Sequence, residues 1–174
     1  MKSQSTLLYK YGKLIENPYK NSKDIHNHSI WKRHVQCSIN GIILESVHSL
    51  TMFDFLIHVS QQWERLKRFQ FYTERHFHLV LVPLTDHLIK WFISNKELVN
   101  SKRLDTVTGM FFEKTEDSLY VQKMIIDFNE VRFKDFCKIV HHYCRYQFQR
   151  TPNVIEVYDP LHETKYLSIN RGRR

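Results

Sequence analysis

The sequence predicts an α+β fold in which an antiparallel sheet packs against two or three helices. Three observations predict it. Some short runs alternate apolar and polar residues with the period of a strand. Other runs repeat apolar residues at helical spacing. The strand-like runs near the end of the chain come in pairs joined by turn signals, which favours hairpins. The chain has 174 residues, 42% of them hydrophobic and 14% aromatic. That suffices for one domain with a buried core and excludes a wholly disordered chain.

Residues 1–30 read as a basic arm with little periodic pattern, and Asn17-Pro18 and Asn21-Ser22 are turn signals. Residues 31–170 are the expected globular domain. In 31–44, Trp31, Val35, Cys37, Ile39, Gly41 and Ile43 share one parity, which predicts a strand with one wet face. Residues 51–68 predict a helix. Thr51 can cap it, Asp54 completes a capping-box-like start, and Leu56, Val59, Trp63 and Leu66 follow the helical period.

Residues 76–82 predict a short strand stopped by Pro83, followed by a helix from Thr85 to about Ser94 and a polar loop over 95–103. Residues 104–113 and 118–128 predict a hairpin around Lys114-Thr115-Glu116-Asp117. Residues 130–146 predict a third helix through Phe133, Phe136, Val140 and Tyr143. Residues 153–158 and 164–169 predict a closing hairpin. These elements amount to a sheet with helices on one face, followed by a basic tail, 171–174.

Lys and Arg number 26 against 18 Asp and Glu, a formal charge of +8. The first 50 residues hold seven basic and three acidic residues, half of that excess. Polyanions are the expected partners: nucleic acid, an acidic membrane surface or an acidic protein. Three cysteines, Cys37, Cys137 and Cys144, are too few for a disulfide framework, and no apolar run approaches a membrane span. A reducing compartment, cytosolic or nuclear, is expected. Four scattered glycines supply no phosphate-cradling loop.

The residues that could carry chemistry do not converge. His26, His28, His34 and Cys37 form one metal-like group, but His34 and Cys37 would face opposite sides of the predicted strand. His141, His142 and Cys144 form another, but adjacent helix positions diverge. Cys137 and His141 lie one helical turn apart without any sign of an activated thiolate or an oxyanion site. His76 and His78 would share a strand face near His87, as a protonation-sensitive patch or as ordinary surface histidines. Glu116-Asp117 and Asp86 mark a turn and a helix start. No catalytic residue, metal or cofactor is assigned, and the expectation is a protein that is not an enzyme.

Aromatic and basic residues interleave from Trp63 to Tyr72. Such a pattern suits a single-stranded nucleic-acid site or a peripheral membrane surface, or it is a core stripe with solvated cations. The candidate residues for membrane or polyanion binding are Lys10, Lys13, Lys20, Lys23, Arg65, Lys67, Arg68, Arg171, Arg173 and Arg174. Tyr9, Tyr11 and Tyr19 of the arm are the candidates for self-association.

The order of segments resembles the matrix proteins of rhabdoviruses. The resemblance runs through 34–43, Thr51–Trp63, Arg68–Tyr72, His76–Leu84, Phe128-Asn129 with Phe133-Lys134-Asp135-Phe136, and the hairpin at 153–169. It covers about residues 34–169, most of the chain. The arm lacks the proline-rich late-domain motif of animal-infecting members, and the chain is short for the family, as would fit a plant-infecting member. The resemblance implies a rhabdovirus-matrix-like fold and a structural role. Such a protein would self-associate as a non-closing oligomer and bridge the viral nucleocapsid to an anionic membrane leaflet. It would support virion assembly and budding, with a viral glycoprotein as a further partner. It would be found in the virion, in the host cytoplasm at the inner face of internal or viral membranes, and in the nucleus. The alternative is a small basic regulator or silencing suppressor that binds nucleic acid, including non-specifically, without enzymatic activity.

Overall fold

A computed structural model describes residues 30–46, 51–68, 71–101, 103–105, 109–115 and 118–170. Among the described residues three helices come first: α1 (Ile30–Ser46), α2 (Met52–Glu64) and α3 (Glu74–Ser101). Strands β1 (Arg103–Asp105), β2 (Met110–Lys114) and β3 (Leu119–Met124) follow. Helix α4 (Glu130–Phe148) then leads to β4 (Val154–Asp159) and β5 (Thr164–Ile169).

The five strands lie in sequence order, β1-β2-β3-β4-β5. All neighbours are antiparallel except β3 and β4, which run parallel with Val121 beside Ile155. A parallel pair needs a crossover, and α4 supplies it. The sheet is therefore mixed, where the sequence predicted an antiparallel one. The closing hairpin is β4–β5 as expected, whereas predicted strand 104–113 is two paired strands, β1 and β2, and the 118–128 strand ends at Met124.

Helices also cover both faces of the sheet, where one face was expected. Alternate strand residues divide the core. Met110, Phe112, Leu119, Val121, Ile155 and Val157 pack against Phe136, Val140, Tyr143 and Cys144 of α4. Phe111, Met124 and Tyr158, of the opposite parity, join Trp31, Val35, Ile39, Phe55, Val59, Leu84, Leu88, Trp91 and Phe92 of α1–α3. The fold is α+β with the sheet between two helical layers.

Two predicted strands are helices. Residues 31–44 lie in α1. Trp31, Val35, Ile39 and Ile43 are four apart, a spacing shared by both periods, and buried Ile42 follows Ile39 by three. Cys37, assigned to the same strand face, is exposed. Residues 76–82 and 85–94 are one continuous helix, α3, with Pro83 inside it. Proline deletes one amide donor. Here Pro83 is exposed, and the Thr85 hydroxyl bonds back to the Leu81 carbonyl at 2.7 Å. The buried series Val80, Leu81, Leu84, Leu88, Trp91 and Phe92 carries the helix past the proline. The polar loop expected from residue 95 is helical through Ser101.

Helix α2 starts as its sequence implies. The Thr51 hydroxyl accepts from the Asp54 amide at 3.1 Å, and the Asp54 carboxylate accepts from the Thr51 amide at 3.1 Å. Its inward face is Phe55, Val59 and Gln62, while Phe53 is 71% exposed. Gly41 lets α1 and α2 approach closely: a Cβ there would lie 2.8 Å from the Gln62 amide group.

One buried side chain joins the helical layer to the sheet. The Gln36 amide nitrogen donates to the Met124 carbonyl at 3.1 Å and to Asn40 Oδ1 at 3.0 Å. Its oxygen accepts from the Ile126 amide at 2.9 Å. Replacing Gln36 with Leu strands both backbone groups in a dry interface. Gln36→Leu is expected to lower stability by roughly 2–4 kcal/mol in urea unfolding, since each unsatisfied buried group costs ~1–3 kcal/mol. An unchanged midpoint would contradict this account of the junction.

Candidate attachment surfaces

The basic-aromatic segment lies where α2 gives way to α3. Helix α2 ends at Glu64 with Arg65 as its cap residue, so Arg65, Lys67 and Arg68 lie just beyond the helix. All three are exposed. Arg65 lies 3.8 Å from Glu45, and Arg68 pairs with Glu74. Such exposed pairs hold little energy and leave the cations accessible. Thr73 accepts from the His76 amide at 3.0 Å and so starts α3. Just before it Tyr72 is 56% exposed, and on α3 Leu79 and Val82 are 63% and 68% exposed, with Arg75 exposed as well.

Behind this edge is a groove of about 530 Å³ lined by Leu56, Val59, Trp63, Leu66, Phe77 and Arg68, among others. The Trp63 indole donates to Thr85 at 2.9 Å. Arg68 lies 5.8 Å from the Phe77 ring centre. The segment is amphiphilic more than strongly charged, because Glu45, Glu64 and Glu74 share it.

A second cationic surface was missed in the sequence. Lys134, Lys138, His142 and Arg145 are all exposed on α4. At 3.6 residues per turn they fall within one arc of roughly 80°. The buried residues Phe136, Val140, Tyr143 and Cys144 lie on the opposite side of the helix. Attention to the apolar period alone hides this outer stripe. Asp135 pairs with Lys138 at 2.9 Å. His141, beside the stripe, is held below its usual value, first by burial and then by the charges of Arg145 and His142. Lys134, Lys138 and Arg145 supply the formal positive charges of this face.

The remaining sequence candidates separate. Lys10, Lys13, Lys20, Lys23, Arg171, Arg173, Arg174, Tyr9, Tyr11 and Tyr19 lie outside the described residues, as do His26 and His28. Among the described residues, no three His, Cys, Asp or Glu side chains form a metal-binding group. Burial, with Arg33 adding to it, lowers the pKa of His34. His76 and His78 do not share a face, because they sit two apart on a helix. His76 packs 5.1 Å from Trp31 and 4.8 Å from Tyr72, ring centre to ring centre, whereas His78 is exposed. His87 leaves that group: its Nδ1 lies 2.7 Å from the Pro160 carbonyl and its Nε2 3.2 Å from Glu163.

Burial pushes the Cys137 thiol up against an opposing hydrogen bond from Ser168, so the Cys137–His141 pair lacks an activated nucleophile. Lys123 is only 1% exposed, under α4, where Tyr143 donates to Asp105. Burial on this scale leaves the amine no access to a substrate. No helix among the described residues is long and apolar enough to cross a membrane.

No family model, no curated protein and no solved structure matches the chain.

The three thiols report on this packing. Cys37 is exposed on α1, Cys137 is half-buried, and burial pushes Cys144 up to about 12. Iodoacetamide at neutral pH is expected to label Cys37 first and Cys144 last, read by peptide mass spectrometry. Early labelling of Cys144 in the folded protein would contradict the seat of α4 on the sheet.

Proposed function

We propose that the chain is a structural adaptor of the matrix type. It bridges a nucleocapsid to an anionic membrane leaflet, self-associates and supports virion assembly and budding, and it is not an enzyme. The observation that carries this reading is the separation of two cationic surfaces by the sheet. Arg65, Lys67, Arg68 and Arg75 belong to the helical layer of α1–α3; Lys134, Lys138 and Arg145 belong to α4 on the other face. A protein with cations on opposite layers can hold two polyanions at once.

The chemistry of each surface favours one target. The α2–α3 junction sets Tyr72, Leu79 and Val82 among its cations, a composition that enters a lipid headgroup region. The α4 stripe presents cations in a row on a rigid helix, which suits the phosphates of a nucleocapsid. The basic arm, residues 1–30, and the tail, residues 171–174, add charge to both encounters. The resemblance to rhabdovirus matrix proteins supplies the setting, including the virion, the inner face of membranes and a viral glycoprotein as a further partner.

Flotation of the full chain with phosphatidylserine-containing vesicles and a single-stranded RNA tests the bridge. The RNA is expected to float only when protein is present, and less so as salt rises. Changing Lys134, Lys138 and Arg145 together to Gln should release the RNA and leave the protein on the vesicles. It should also flatten the slope of log affinity against log salt by roughly 2, at about 0.7 per lost phosphate contact. Changing Arg65, Lys67 and Arg68 together to Gln should weaken vesicle binding by ten- to roughly a hundredfold, at ~1 kcal/mol per cation less the share already paired. RNA binding without vesicle binding would overturn the adaptor in favour of a nucleic-acid-binding regulator.

A further inference from the structure

We infer that β5 is a self-pairing edge, through which two copies join antiparallel across a two-fold axis centred on Leu167. The inference rests on the self-association in the reading above and names its surface.

Strand β5 is the last in the sheet, with no strand beyond it among the described residues. The direction of its free backbone groups follows from its neighbours. Tyr158 accepts from the Ile125 amide, so Val154, Glu156 and Tyr158 turn their backbone toward β3. Ile155, Val157 and Asp159 then turn toward β5, opposite Ser168, Tyr166 and Thr164. The Asn170 amide donates to the Asn153 carbonyl at 2.7 Å, which fits the same alternation. The outward N–H and C=O groups are therefore those of Lys165, Leu167 and Ile169.

The side chains of these same three residues are exposed, with Leu167 at 54% and Ile169 at 58%. Tyr166, of the other parity, packs into the α4 core and donates to the Phe128 carbonyl at 2.8 Å. Beta edges are ordinarily protected by proline, several lysines or other charges, bulges or extreme shortness. Strand β5 has six residues, a regular ladder, no proline and one lysine. The opposite edge, β1, is only three residues long.

A second copy of β5 fits this edge by its own sequence. Centring the two-fold on Leu167 sets Leu167 against itself and Lys165 against Ile169 of the other copy. All three outward positions on each strand then find partners, and the two lysines are kept apart. Centring on Lys165 would oppose like charges; centring on Ile169 would leave Lys165 unpaired. Side chains of Leu167 and Ile169 from both copies form one apolar strip, flanked by Glu156, which already holds Tyr120 at 2.8 Å and Gln122 at 2.6 Å. Such a contact closes on itself, so it gives a dimer as the unit from which a larger coat is built through another surface.

Sedimentation velocity of the full chain over a concentration series, without lipid or RNA, tests the inference. Wild type is expected to pass from monomer to dimer. Leu167→Pro removes an outward amide that the monomer's ladder does not use. It should leave circular dichroism unchanged and weaken dimerisation by about tenfold or more. Leu167→Lys, which sets like charges face to face, gives the same result without altering the backbone. With diamide added as the oxidant, in a Cys37→Ser background, Leu167→Cys should form a disulfide-linked dimer faster than Phe53→Cys, because directly opposed residues of an antiparallel pair come within disulfide range. Association that persists equally in Leu167→Pro and Leu167→Lys overturns the edge and leaves self-association to another surface. A monomer at every concentration overturns both, while flotation of the same variants keeps membrane attachment as a separate question.

Discussion

The buried amide of Gln36 is the constraint on which the arrangement of layers depends. Helix α1 must meet the end of β3, where the Met124 carbonyl and the Ile126 amide have left the regular ladder. Buried backbone groups need partners, and water does not reach this interface. A glutamine supplies one donor and one acceptor on the same planar group, and Asn40 fixes its orientation at 3.0 Å. A leucine would fill the same space without serving either group. At the rim, Lys32 reaches Asp127 at 2.5 Å.

Asp159 secures the far side of the same segment. Its carboxylate is fully buried and accepts from the Phe128 amide, the Leu161 amide and the His162 ring, each at 2.9 Å. Three donors offset the cost of burying its charge. Residues 124–129 are thus held by α1 on one side and by the β4–β5 turn on the other, and Asn129 then caps α4. The position of the α4 stripe relative to the α2–α3 junction follows from these two anchors. The sheet keeps the two cationic surfaces apart because each helical layer buries its own apolar face against it.

Parts of this fold can be read in the sequence for physical reasons. Thr51 with Asp54, the Phe136–Val140–Tyr143 period and the closing hairpin depend on local chemistry, and all appear, while the earlier hairpin keeps its β2–β3 pair but has its first strand divided into β1 and β2. Residues 31–44 failed because a four-residue repeat satisfies both strand and helix periods. The 76–82 segment failed because Pro83 reads as a stop, whereas an exposed proline in a long amphipathic helix costs less than the burial around it returns. The parallel β3–β4 pair depends on a crossover, which no local pattern encodes. The exposed cations of the α2–α3 junction were legible as an aromatic-basic run. The α4 stripe was not, since its members are separated by apolar residues and become a row only on a helix.

Hydrogen–deuterium exchange of the full chain tests the division of labour most directly, with anionic vesicles and with RNA added separately. Vesicles are expected to slow exchange around residues 71–82 and leave α4 unchanged, while RNA is expected to slow exchange at the exposed face of α4 and its ends and leave the α2–α3 junction unchanged. Protection of one and the same surface by both ligands would contradict an adaptor built on two opposed faces.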